Sequence, residues 1–95
     1  MTDRARLTSP QIAERLSKLD GWRGRDRRRA IQKTFRFGSF RAALAFVAFV
    51  GELAEAADHH PDIDIRYDRV TLTLSTHSAG GLTALDFDLA ERIAG

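Results

Sequence analysis

Ninety-five residues are enough for one domain, and a chain this short leaves much of its surface in water unless a partner subunit covers part of it. It has no cysteine, which excludes disulfides, thiolate metal ligands and a cysteine nucleophile. The net charge of +2 hides an asymmetry: residues 1–41 carry twelve Lys/Arg against four acids, and residues 42–95 carry three against nine. Within one small domain the halves can lie side by side and offset each other's field, so nucleic acid is not an expected partner. The longest uncharged apolar run, residues 42–51, falls far short of the roughly 20 residues that span a bilayer, and a cytoplasmic protein without membrane contact is expected.

Leu7-Thr8-Ser-Pro-Gln11 opens a helix, with Thr8 as N-cap, Gln11 as its capping-box partner and Pro10 in the first turn. Ile12, Leu16 and Leu19 continue it at helical spacing, and Asp20-Gly21 ends it. Trp22 begins extended structure, and the charged residues 23–29, with Gly24 and Asp26, suit a solvated turn. Ile31, Phe35 and Phe37 share one parity while Gln32, Thr34 and Arg36 take the other, which predicts an amphipathic strand hairpinned to the Trp22 segment.

Ser39 caps a second helix running to about His59. Phe40, Leu44, Val47 and Leu53 are expected to face a sheet, yet Phe46, Phe49 and Val50 occupy much of the remaining circumference. A helix apolar on most sides is buried on most sides, so a homodimer or homotetramer through this helix is expected. Pro61 disfavours helical geometry at His60 and stops the helix. Residues 63–67 and 70–77 then alternate as a second hairpin, with Val70, Leu72 and Leu74 inward. Residues 78–81 form a turn, and Thr83-Ala-Leu-Asp86 is a capping box opening a last helix with Leu85, Leu89 and Ile93 on its apolar stripe. The order α-β-β-α-β-β-α predicts an α+β fold with a four-stranded antiparallel sheet and three helices on one face. One domain over residues 1–95 is expected, without linker or repeat.

The chemistry-bearing stretch is Glu55-Ala-Ala-Asp58-His59-His60-Pro61, followed by Tyr67, His77 and Asp86. All three histidines fall here, beside structural breakpoints. An unperturbed imidazole pKa of roughly 6.5 suits proton exchange near neutrality, so converging histidines point to acid/base chemistry or a metal. His59 and His60 end a helix, where its dipole favours a cation, and Glu55 precedes His59 at i, i+4 spacing, able to orient it. Adjacent residues diverge from a helix, so His60 approaches from another angle, and His77 from the opposite wall. Asp86 is explained by its capping box, with a pocket role as the second reading. Trp22 and Tyr67 read as core or pocket-wall aromatics.

These residues resemble the pterin-4a-carbinolamine dehydratases. The resemblance lies in Glu-x-x-x-His-His-Pro at positions 55–61, the aromatic Tyr67, Ser-Thr-His at 75–77 and Gly-Leu-Thr-x-x-Asp at 81–86. Gly21-Trp22, Gly24-Arg25-Asp26, Phe35-x-Phe37, Phe40 and Ala42-Ala43 extend it over nearly the whole chain. It implies loss of water from a 4a-hydroxytetrahydropterin in tetrahydropterin recycling, a reaction for which the residue chemistry above makes His59, His60, His77, Glu55 and Asp86 the catalytic candidates. It further implies a pterin pocket lined by Asp58, His59, His60, Ser75, Thr76, His77 and Ser78, no metal or organic cofactor, and an oligomer. Two departures are the arginines at 27–29, which lengthen the first hairpin, and Ile63, near a position where an aromatic is often expected.

Two other function classes compete. A zinc or iron site on His59, His60 and His77 lacks the usual i, i+3 or i, i+4 ligand pair, and neighbouring histidines rarely converge on one ion. A non-catalytic interaction module, of the dimerisation or transcriptional cofactor type, would use the apolar helix face for protein or the arginines for nucleic acid.

Overall fold

The computed structural model describes residues 5–94, so the expected domain limits at 1 and 95 lie outside the described residues. In chain order the elements are α1 (Ser9–Ser17), β1 (Arg23–Arg25), β2 (Ala30–Arg36), α2 (Phe40–Ala57), β3 (Asp62–Arg66), β4 (Arg69–Leu74) and α3 (Ala84–Ala94), with a 3-10 turn at His77–Ala79. The order is the expected α-β-β-α-β-β-α. The strands form one antiparallel sheet, β1-β2-β4-β3, which places the two long central strands between a short strand and an exposed edge.

Local chemistry sets the boundaries. Thr8 and Gln11 form the complete capping box, and α1 ends at a Lys18 cap, slightly before Asp20-Gly21. The Ser39 hydroxyl accepts from the Ala42 N–H at 3.1 Å to start α2. Parity then assigns the sheet faces: Ile31 opposes Leu74, Phe35 opposes Val70, and Val70, Leu72 and Leu74 are fully buried under the helices. The opposite face is polar, tied by Gln32 Nε2 donating to Thr73 Oγ1 at 2.9 Å and by the Thr34 and Thr71 hydroxyls at 2.8 Å.

Two expectations are corrected. α2 does not turn Phe40 and Leu44 to the sheet; both are exposed, whereas Ala43, Val50 and Ala54 are buried and Phe46, Val47 and Leu53 pack against the core. The buried line of α2 runs through Ala43, Val50 and Ala54, and the helix packs on α3 as well as on β4. Phe46 accordingly reaches inward, its ring 4.6 Å from Phe35 and 4.9 Å from Phe37. β4 stops at Leu74, not at His77, because Thr76 leaves the ladder to bridge Gly81.

Trp22 joins the core, as one expected reading had it, edge-on to Phe35 at 6.2 Å. Tyr67 does neither of the things expected of it. It is 70 % exposed in the β3–β4 turn, with φ 54°, and stacks on Phe40 at 6.5 Å.

Candidate functional site

Two chain segments, one after α2 and one after β4, build an open cleft of about 280 Å³. α2 closes at Asp58, whose φ of 50° is left-handed; its N–H bonds back to the Ala54 and Glu55 carbonyls, and the His59 N–H reaches Ala54 O at 3.1 Å. This is a Schellman closure, which Asp tolerates better than most side chains. Beyond it consecutive residues diverge: His59 is buried and His60 is exposed.

His59 is 7 % exposed, and its Nε2 lies 2.6 Å from Asp86 Oδ1. Asp86 is itself fully buried on the first turn of α3. Its second oxygen accepts the Thr83 backbone N–H at 3.0 Å and the Thr76 hydroxyl at 2.8 Å, while the Thr76 and Thr83 hydroxyls lie 2.8 Å apart. A buried carboxylate is tolerable only when its lone pairs are met in this way. Asp86 therefore caps α3 from the inside and holds His59 at the same time.

The i, i+4 expectation for Glu55 is corrected. Its carboxylate pairs with His60 Nε2, and both side chains are exposed. The left-handed turn at Asp58 takes His59 off the helical path on which i, i+4 pairing depends, and brings His60 back beside Glu55.

The second wall begins where β4 ends. Ser75 donates its hydroxyl to the Arg29 carbonyl at 2.7 Å, Thr76 exchanges backbone hydrogen bonds with Gly81, and His77 stands on the 3-10 turn. The His77 side chain is exposed, and its imidazole has no hydrogen-bonding partner among the described residues. Asp58, His59, His60, Ser75, Thr76, His77 and Ser78 line the cleft. Asp86 lies behind His59 and Glu55 beside His60, neither on the lining, and Tyr67 is absent from it. Among the described residues no group of three or more His, Asp or Glu is placed to hold a metal ion.

What sequence reasoning missed was the Thr83 hydroxyl as a partner of the Thr76 hydroxyl beside Asp86; its place opening a capping box accounts for Thr83 locally and gives no sign of the Thr76 contact. Chemically, the cleft offers two imidazoles whose Nε2 atoms are each held by a carboxylate, a third that is unheld, and the hydroxyl side chains Ser75, Thr76 and Ser78. Those are the parts for moving protons on and off a small polar ligand.

A sequence model of the family described as pterin 4 alpha carbinolamine dehydratase matches residues 5–95. A protein of Roseiflexus sp. strain RS-1, provisionally named a pterin-4-alpha-carbinolamine dehydratase, is 57 % identical over 88 residues, 93 % of this chain and 92 % of its own. The crystal structure of a transcriptional coactivator/pterin dehydratase from Brucella melitensis superposes with a TM-score of 0.89 at 43 % identity, covering 94 % of this chain and 95 % of that one. A pterin dehydratase-like protein identified as a RuBisCO assembly factor in the alpha-carboxysome superposes with a TM-score of 0.66 at 27 % identity, covering 77 % and 84 %.

Proposed function

The chain belongs to the pterin 4 alpha carbinolamine dehydratase family, and from that premise we propose that it removes water from a 4a-hydroxytetrahydropterin to give the quinonoid dihydropterin. The observation that carries this reading is the gathering of all three histidines on one cleft, with His59 anchored from behind by buried Asp86. The reaction breaks the C4a–O bond as the hydroxyl takes a proton and leaves as water. It also breaks the N5–H bond, whose electron pair forms the C4a=N5 double bond. One acid and one base on the same ligand meet both demands, and each such assistance is typically worth about 10²- to 10⁴-fold in rate.

The residues divide these tasks by what already engages them. Asp86 and Glu55 occupy Nε2 of His59 and His60, so any proton those rings exchange with substrate passes through Nδ1. His77, with no partner of its own, is the ring best able to give or take a proton at either nitrogen. Ser75, Thr76, Ser78 and Asp58 supply polar contacts to the pterin's heteroatom edge. The work is tetrahydropterin recycling in the cytoplasm; no helix among the described residues is long and apolar enough to cross a membrane. The functional unit is a homodimer or homotetramer built through α2. The deciding experiment measures dehydration of freshly generated 4a-hydroxytetrahydropterin above its spontaneous rate; a rate equal to the blank at micromolar protein would refute the reading.

One observation favours a second reading, an interaction module. Phe40, Leu44 and Phe49 of α2 and Ile63 and Ile65 of β3 are large apolar side chains left exposed. Under that reading substitutions in the cleft would leave partner binding intact, and substitutions on α2 would abolish it.

A further inference from the structure

The β1–β2 hairpin ends beside the cleft. Its turn, residues 26–29, is exposed, and the Arg29 carbonyl accepts the hydroxyl of Ser75, a residue of the cleft wall, at 2.7 Å. Asp26, Arg27 and Arg28 have φ of 51°, 54° and 61°. Three successive L-residues in the left-handed region hold only where their surroundings fix them. Here the Arg25–Ala30 pair closes the ladder below, and the Arg29 N–H bonds to the Asp26 carbonyl at 3.0 Å. The turn is therefore a defined one, tied to the cleft through Ser75.

The three arginines of this turn are not equivalent. Arg28 folds back over Gly24, so closely that a Cβ there would meet its Cγ at 2.9 Å. Arg27 and Arg29 have no ion pair or side-chain hydrogen bond among the described residues. The acids nearby are Asp26 in the turn itself and, on the far wall of the cleft, Asp58 with Glu55 beyond it, the latter already paired with His60. Arg6 lies over Gly81, at the other end of the loop that begins with Ser75. The charge about the cleft is thus uneven: carboxylates stand at the α2 wall, and two arginines without partners belong to the turn whose backbone is tied to Ser75. A neutral ligand gains little from that field, whereas a ligand whose tail leaves past Ser75 carrying negative charge gains charge-assisted hydrogen bonds.

We propose that Arg29, with Arg27, forms an anion subsite at the Ser75 rim of the cleft and selects pterins whose side chain ends in a phosphate. This rests on the pterin reading above and adds the substrate class. Arg29 contacts Ser75 through its carbonyl, so an Arg27→Gln/Arg29→Gln double variant keeps that bond while removing both charges.

The test is a fluorescence titration of wild type and double variant with dihydroneopterin and with dihydroneopterin monophosphate, at low and at high salt. Wild type should bind the phosphate ester roughly tenfold more tightly at low salt, an advantage that shrinks as screening increases. The double variant should lose that advantage, with the neutral pterin serving as the reference for each protein. Equal affinity of wild type for the two pterins would overturn the subsite and leave the pterin reading standing. A phosphate preference that survives the double substitution would overturn it too, and place the anion elsewhere, for instance at Arg6. Failure of wild type to bind either pterin would overturn the pterin reading and the subsite together.

Discussion

His59 and Asp86 stand 27 residues apart in the chain and 2.6 Å apart in the fold, both buried. The contact joins the end of α2 to the start of α3, so a single carboxylate ties a catalytic candidate to the packing of two helices. Removing it leaves the His59 ring, the Thr76 hydroxyl and the Thr83 N–H without their acceptor. Asp86→Ala should cost about 2 to 5 kcal/mol of stability and abolish activity. Capping alone would have predicted only about 0.5 to 2 kcal/mol. Urea denaturation distinguishes the two, and a loss in the lower range with activity intact would mean that Asp86 is a helix cap and nothing more.

The three histidines should separate into two kinds. His60 and His77 have exposed side chains, so replacing either by Ala should leave stability within about 0.5 kcal/mol while lowering turnover by at least about tenfold. His59→Ala should lower both, since it strands buried Asp86. Paired turnover and thermal-melting measurements check this. If His59→Ala melts like wild type, the buried pair has no structural role; if His60→Ala and His77→Ala both turn over at the wild-type rate, the acid/base assignment is wrong.

How much of this was legible in the sequence follows from the range of the interactions. Thr8 with Gln11, Ser39, Pro61 and the alternating Val70, Leu72 and Leu74 are local signals, decided within a few residues, and they carry the element order. The orientation of α2 was not local. Large side chains such as Phe40 and Leu44 dominate any hydrophobic pattern, while the buried line runs through Ala43 and Ala54, whose smallness becomes informative only once the rest of the fold packs against them. The cleft residues could be grouped by motif, but not their pairing. Helical spacing pairs Glu55 with His59, whereas the single left-handed residue Asp58 redirects both histidines. Asp86 had a sufficient local explanation as a cap, which concealed its second contact.

Chelation should leave activity unchanged. Two of the three imidazoles already have a ring nitrogen engaged, His59 by Asp86 and His60 by Glu55, and a metal would have to displace those carboxylates to recruit both rings through Nε2. Turnover measured after exhaustive treatment with a chelator, and again after adding zinc, tests this. Loss on chelation that zinc restores would replace the metal-free mechanism with a metal-assisted one.

α2 should make the oligomer, though with a different set of side chains from the one its hydrophobic pattern suggests. Val50 and Phe46 are taken up by the chain's own core, which leaves Phe40 and Leu44 on one flank and Phe49, 47 % exposed, on the other. Ile63 and Ile65 oppose Leu72 and Val70, so they lie on the helix-packed face of the sheet, on an edge strand exposed along its whole length. Small monomers rarely leave so many large apolar side chains in water, and a second copy of α2 would cover those on the helix. Sedimentation should show a dimer or larger at micromolar concentration. Phe49→Glu and Leu44→Glu should each shift the population toward monomer, and because both positions are exposed, circular dichroism of the dissociated variants should still report the wild-type helix content. A monomeric wild type would refute the assembly. Dissociation by Phe49→Glu alone, with Leu44→Glu still fully assembled, would confine the contact to the Phe49 flank.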